Sequence, residues 1–127
     1  MNEATALGLR MTSLLLRGNG FGSVAETVEW FGAMQAQDVN SGLWSLGARV
    51  AGSTLASVNA ALEDRSVLRT WPMRGTVHFV PAADVHWMLE LMGVRALAGA
   101  AKRRDTLGLD EQTVDRAVDV LLSLIHI

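Results

Sequence analysis

The chain is predicted to be mainly α-helical with one small β-hairpin, and three observations carry that prediction. Apolar residues recur at helical spacing in several separate segments of the 127-residue sequence. One interval, 67–80, breaks the period: its two arms, 67–71 and 76–80, are rich in β-branched and aromatic residues, with Pro72 and Gly75 between them. Half of all residues are apolar, enough for a single domain of this length to bury a core.

Taken in order, Leu7, Met11, Leu14 and Leu15 form an i, i+4, i+7, i+8 stripe for a first helix, ended by Gly18-Asn19-Gly20, with Arg10 and Arg17 on the opposite face. Ser23 is the N-cap of a second helix carrying Val24, Val28 and Phe31, with Glu26 at the position of a capping-box partner. That helix is expected to stop near Met34, and residues 35–41 to form a polar loop. A short third helix over about 42–50 places Leu43, Leu46 and Val50 on one face. Ser53 or Thr54 caps a fourth with Leu55, Val58 and Leu62. After the hairpin, Pro81 is expected to start a long helix with a stripe of Val85, Met88, Leu89, Met92 and Ala96. A last helix begins at the Asp110 cap and bears Val114, Ala117, Val118 and Leu121. Small helices followed by a hairpin are the parts of a winged helix-turn-helix, here with two further helices behind it. The expected organisation is therefore a winged-helix domain over 1–80 with its wing at about 67–80, and a helical continuation over 81–121.

The tail demands separate treatment. Leu122-Ser123-Leu124-Ile125-His126-Ile127 reads as the translation of a transposon-end adapter used in sequencing libraries. On that reading the native frame continues differently after Leu121, the remaining C-terminal domains of the chain are missing, and His126 has no functional meaning. The alternative is a natural apolar helix end.

Composition narrows the function classes. There is no cysteine, so disulfides and thiolate zinc sites are excluded, and His78, His86 and His126 have no helical metal spacing among themselves. No metal and no cofactor is expected. No apolar run approaches the roughly 20 residues of a membrane span, and the expected compartment is the cytoplasm, in association with the nucleoid. The net charge of −2 is unevenly spread: residues 1–64 carry 3 basic and 6 acidic groups, 65–104 carry 7 and 2, and 105–127 carry 1 and 5. The basic middle contains the hairpin, with Arg69, Arg74 and His78, and runs on through Arg95 to Lys102-Arg103-Arg104. Such a block is either a solvated face or a track for phosphates. Arg74 and His78 also have structural readings, Arg74 bonding helix-end carbonyls and His78 bracing strands.

Gln35-Ala36-Gln37-Asp38 sets two neutral amides two residues apart, so in an extended segment both address one point. Each offers a carbonyl acceptor and an NH2 donor, and together they can hold a water beside a polar centre. The alternative is that they cap helix ends or face solvent. Asp38 adds negative charge to such a site or caps the next helix. Of the four tryptophans, Trp44 and Trp87 adjoin apolar stripes and are expected in the core, leaving Trp30 and Trp71 unassigned.

Gln35-Ala36-Gln37-Asp38, Leu43-Trp44-Ser45-Leu46-Gly47-Ala48-Arg49, Arg69-Thr70-Trp71-Pro72-Met73-Arg74-Gly75-Thr76-Val77-His78 and Pro81-Ala82-Ala83-Asp84 occur in the order and approximate spacing of the AlkZ/YcaQ-type winged-helix DNA glycosylases of bacteria, which the chain resembles over residues 3–121. In that family tandem winged-helix domains accompany a β-barrel, and some members unhook interstrand crosslinks or excise alkylated purines. The resemblance implies that Gln35 and Gln37 are the catalytic pair, with Ala36 a small residue at the motif's apolar position. It also implies that the hairpin, through Arg69, Arg74 and His78, contacts double-stranded DNA. The alternative function is a non-catalytic DNA-binding or regulatory protein on the same scaffold.

Overall fold

A computed structural model describes residues 2–18 and 20–124. Helices dominate it, around a small antiparallel sheet. The elements are α1 (Glu3–Ser13), α2 (Val24–Phe31), β1 (Met34–Gln35), α3 (Val39–Gly47), α4 (Leu55–Glu63), β2 (Val67–Met73), β3 (Thr76–Pro81), α5 (Val85–Met88), a π-helical turn (Leu89–Gly93), α6 (Val94–Leu97), α7 (Ala100–Thr106) and α8 (Glu111–Leu124).

The caps fall where polar side chains were available for them. The Ser23 hydroxyl accepts from the Glu26 N–H at 3.2 Å, and Thr54 and Ser57 form a reciprocal capping box at α4. Asp38 caps α3 through the Ser41 N–H at 2.7 Å, and Asp110 caps α8 through the Thr113 N–H at 2.8 Å. Gly32, at φ 69°, ends α2 in the left-handed region, three residues short of the expected stop because no side chain pays less strain there than glycine.

Met34–Gln35, expected as the end of a helix and the start of a loop, is a strand. It pairs with β3 in the register Met34↔Phe79 and Gln35↔His78, so the hairpin becomes a three-stranded sheet of order β1-β3-β2. Two residues are too short for a visible period-2 pattern, which is why the segment passes for loop. Asp38 then opens α3 three residues before the expected start.

Between β2 and β3 the pairs Thr70↔His78 and Met73↔Thr76 leave Trp71 and Pro72 opposite Val77 alone. This is a bulge, and it lets Pro72, which has no N–H for a ladder, sit fully buried inside the strand rather than in the turn. The turn itself is Arg74-Gly75, both at positive φ (52° and 68°), the geometry that joins twisted strands through two residues.

One face of the sheet carries the main core. Val67, Phe79, Met34 and Ala36 pack there with Val24 and Val28 of α2, Leu46 of α3 and Val58 and Ala61 of α4. α3 approaches closely because of Gly42, where a Cβ would lie 2.7 Å from the Phe79 ring. The second face is covered by α5 and the π-turn: Val80, Val85 and Met88 are buried, with Leu68, Leu89 and Met92 against them. Pro81 closes β3 instead of opening a helix, and the expected long helix starts at Val85 and is interrupted at Leu89–Gly93. The side chain of Ala96, assigned to that stripe, lies outside the described ones.

The outer helices depart from expectation in burial. α1 stops at Ser13, with Leu15 at φ 54°, before the glycines at 18 and 20, and it buries no residue; Leu7 is 58% exposed. The stripe of α8 is likewise unburied, Leu121 included. Periodicity reports an apolar face correctly but not whether anything covers it. Residues 122–124 continue α8, while 125–127, with His126, lie outside the described residues.

Candidate functional site

β1 ends where the two amides stand. Gln35 and Gln37 are exposed and Ala36 between them is fully buried, so the extended backbone sends both amides away from the core. Their environments differ. The Gln37 side-chain carbonyl accepts a hydrogen bond from the Val77 N–H at 3.1 Å. Because that partner is a donor, the amide must face it with oxygen, and its NH2 group is left pointing elsewhere. Gln35 makes no side-chain hydrogen bond among the described residues and keeps donor and acceptor available. Asp38 takes the capping role. The Ser41 N–H, then the Ser41 hydroxyl, hold its carboxyl below the ordinary range, with Arg69 adding a favourable positive charge.

Arg69 and Arg74, grouped by sequence as one cationic edge, are placed differently. Arg69 lies on β2 opposite Phe79, and its guanidinium reaches across β3 to the segment after β1. Nε donates to the Ala36 carbonyl at 3.1 Å and Nη2 to the Gln37 carbonyl at 3.3 Å. Arg74 stands at the turn, exposed, without a side-chain hydrogen bond among the described residues. Its neighbour across space is Arg95: together with Met73, Gly75 and Met92 the two arginines line an open cleft of about 630 Å³. The charge block at 65–104 was the signal for Arg95, but only the fold shows which other cation it joins.

His78 is buried, 7% exposed, with Nδ1 2.9 Å from the Thr76 carbonyl. A carbonyl only accepts, so Nδ1 carries the proton there. The register Gln35↔His78↔Thr70 puts these three side chains in one row across the sheet. The ring's bond stays within β3, so the bond across strands expected of a bracing His78 is not made among the described residues. The arrangement thus brings Gln35, Gln37, Arg69 and His78 together beside residues 77–79 of β3, and leaves Arg74 in the turn beyond Thr76.

The tryptophans contradict the expectation of core packing. Trp44 is 82% exposed on α3, beside an apolar groove lined by Leu43, Leu55 and Val58. Trp87 is also exposed and donates its indole N–H to Asp84 at 2.8 Å. Both adjoin an apolar stripe in sequence, but Trp44 stands two residues before buried Leu46 and Trp87 one residue before buried Met88, so each turns off the buried face. Trp30 and Trp71 are exposed as well. Among the described residues there is no cluster of His, Asp or Glu fit for a metal ion and no helix long and apolar enough to cross a membrane.

The chain is thus mainly α-helical with a small sheet, two outward amides at a strand end and cations along a hairpin. The family model described as DNA glycosylase AlkZ-like matches residues 28–126, and the chain belongs to that family. The match spans β1, the hairpin and both glutamines. Membership ties the chain to DNA glycosylase function and DNA repair and implies DNA as its binding partner. Neither the curated proteins nor the solved structures contain a significant match.

Proposed function

We propose that the chain is the winged-helix part of a DNA glycosylase that hydrolyses the N-glycosidic bond of alkylated or crosslinked purines, with Gln35 and Gln37 as its catalytic pair. The observation that carries this reading is the pair itself: two outward amides flanking a buried alanine, one with its orientation fixed by Val77, inside the family match. A winged-helix domain over 1–80 is supported by the order α2-β1-α3-α4-β2-β3 and the sheet order β1-β3-β2, with the wing at 67–80 and helices continuing over 81–121.

The chemistry suits amides. A purine alkylated at N7 is already cationic, so it leaves with the bonding electron pair as a neutral base and needs no strong acid. Water must add to the anomeric carbon and lose a proton to solvent. In this reading the free Gln35 carbonyl accepts from that water and turns its lone pair toward the sugar, while the Gln37 NH2 group donates to the water or a sugar oxygen. Both tasks are positioning and electrostatics. A crosslinked base cannot swing freely out of the stack, so approach from a groove by a domain that grips the backbone fits that substrate. Arg74, with Arg95 across the cleft, supplies phosphate contacts; Arg69 has donors to spare for another; His78 supports them through the strand it braces. The exposed apolar faces of α1 and α8 support packing against further C-terminal domains of the same chain.

The second reading, a non-catalytic regulator, is disfavoured by α4. In a regulator this helix would read bases, yet residues 55–63 include no Arg or Lys and only Asn59 among the amides. The test is direct: the complete gene product, incubated with duplex containing N7-alkylguanine, should release the free base, and Gln35→Ala or Gln37→Ala should abolish release with the fold intact. DNA binding without release by the unaltered protein would instead establish the regulator.

A further inference from the structure

Residues that face each other at a hydrogen-bonded position of an antiparallel ladder exchange two bonds, each N–H donating to the other's carbonyl. Following the register past Gln35↔His78, the next such position is Ala36 opposite Val77. Half of the exchange is present: the Ala36 N–H donates to the Val77 carbonyl at 2.9 Å. The other half is replaced by side chains. The Val77 N–H goes to the Gln37 side-chain carbonyl, and the Ala36 carbonyl accepts from Arg69 Nε. Without a donor from elsewhere, the Ala36 carbonyl would be the natural partner of Val77, and the Gln37 amide would lose its anchor.

We propose that Arg69 is a positioning residue: by occupying the Ala36 and Gln37 carbonyls it holds the β1–β3 ladder open by one bond, and so fixes the orientation of the Gln37 amide. The guanidinium suits this because its Nε and Nη donors form a planar fork that meets two adjacent carbonyls at once, as Lys cannot. The positive charge also lies near Asp38, so the same side chain steadies the residue that starts α3. Arg69 thus links the middle of β2 to the amide pair, beside the direct bond that Val77 of β3 makes to Gln37. The inference about catalysis rests on the proposed glycosylase reading, whereas the hydrogen-bond switch does not.

Arg69→Lys keeps the charge and removes the fork; Arg69→Gln removes both. Two measurements on the complete gene product decide the matter. First, NMR scalar coupling across the hydrogen bond identifies the acceptor of the Val77 N–H. It is expected to be the Gln37 side-chain carbonyl in the unaltered protein and the Ala36 carbonyl in both variants, with melting temperatures checked alongside. Second, single-turnover base release at saturating protein is expected to fall about tenfold or more in Arg69→Lys. The DNA dissociation constant of that variant is expected to stay within about threefold, because the charge is retained. A Val77 bond that stays on Gln37 in Arg69→Lys overturns the proposal. So does a variant whose DNA affinity falls while its saturated rate is unchanged, the pattern of a plain phosphate contact. If the unaltered protein releases no base, the glycosylase reading fails, and the Val77 coupling still decides the role of Arg69.

Discussion

In the middle of the hairpin, Arg69 directs two donors onto carbonyls of another element; at its tip, Arg74 occupies a left-handed turn and its side chain is exposed. The two residues have the same chemistry and lie on the same strand-turn unit. Their difference teaches that a cation is assigned by what stands within reach of its donors. The middle is built into the packed sheet, over Phe79 and against the exit of β1, where the amides emerge beside His78 and Val77. At the tip Arg74 is exposed and shares an open cleft with Met73, Met92 and Arg95. The middle therefore has the rigidity that chemistry needs, and the tip the accessibility that phosphate contact needs.

The largest expected effect comes from removing what the middle of the hairpin rests on. Phe79 is fully buried between Met34, Gly42 and Arg69, so Phe79→Ala is expected to cost about 3–5 kcal/mol in denaturant unfolding. A cost below about 1 kcal/mol would mean the middle is no better packed than the tip. At the tip, stability and binding should separate. Arg74→Gly relieves a left-handed residue, so the melting temperature should hold or rise, by the equivalent of up to about 1 kcal/mol. The slope of log affinity for DNA against log salt should meanwhile drop by about 0.9, one phosphate contact. A slope that does not change would remove Arg74 from the interface.

The smallest effect concerns pH at the α3 cap beside Arg69. The Asp38 carboxyl is held below its ordinary value of 3.8, so its contribution is full above that value and is lost as pH falls through the lowered one. Asp38→Asn keeps the capping acceptor without the charge. The thermal midpoint of the unaltered protein should therefore fall more than that of the variant as pH drops below about 4. Parallel curves would show that the charge on Asp38 does not matter to the fold.

Much of this arrangement was legible in the sequence. The caps at Ser23, Thr54 and Asp110 and the two arms of the hairpin follow from local rules that depend only on neighbouring residues. β1 was not legible, because two residues carry no period and the strand exists only through β3. Neither was the exposure of Trp44 and Trp87, since a stripe defines a helix face only to within one residue step. The motif Gln35-Ala36-Gln37 could be read from its pattern, but the division of labour within it could not. That depends on Val77 and Arg69, some 40 and 33 residues away from their partners in the chain.

The central claim is that the chemistry belongs to the amide pair at the end of β1. Single-turnover release of N7-methylguanine by the complete gene product, compared with its Gln35→Ala, Gln37→Ala double variant at saturating protein, tests it most directly. The account predicts a rate at least about 100-fold lower in the double variant, with the fold and DNA affinity retained. Excision by the double variant at the unaltered rate would contradict it and place the chemistry elsewhere.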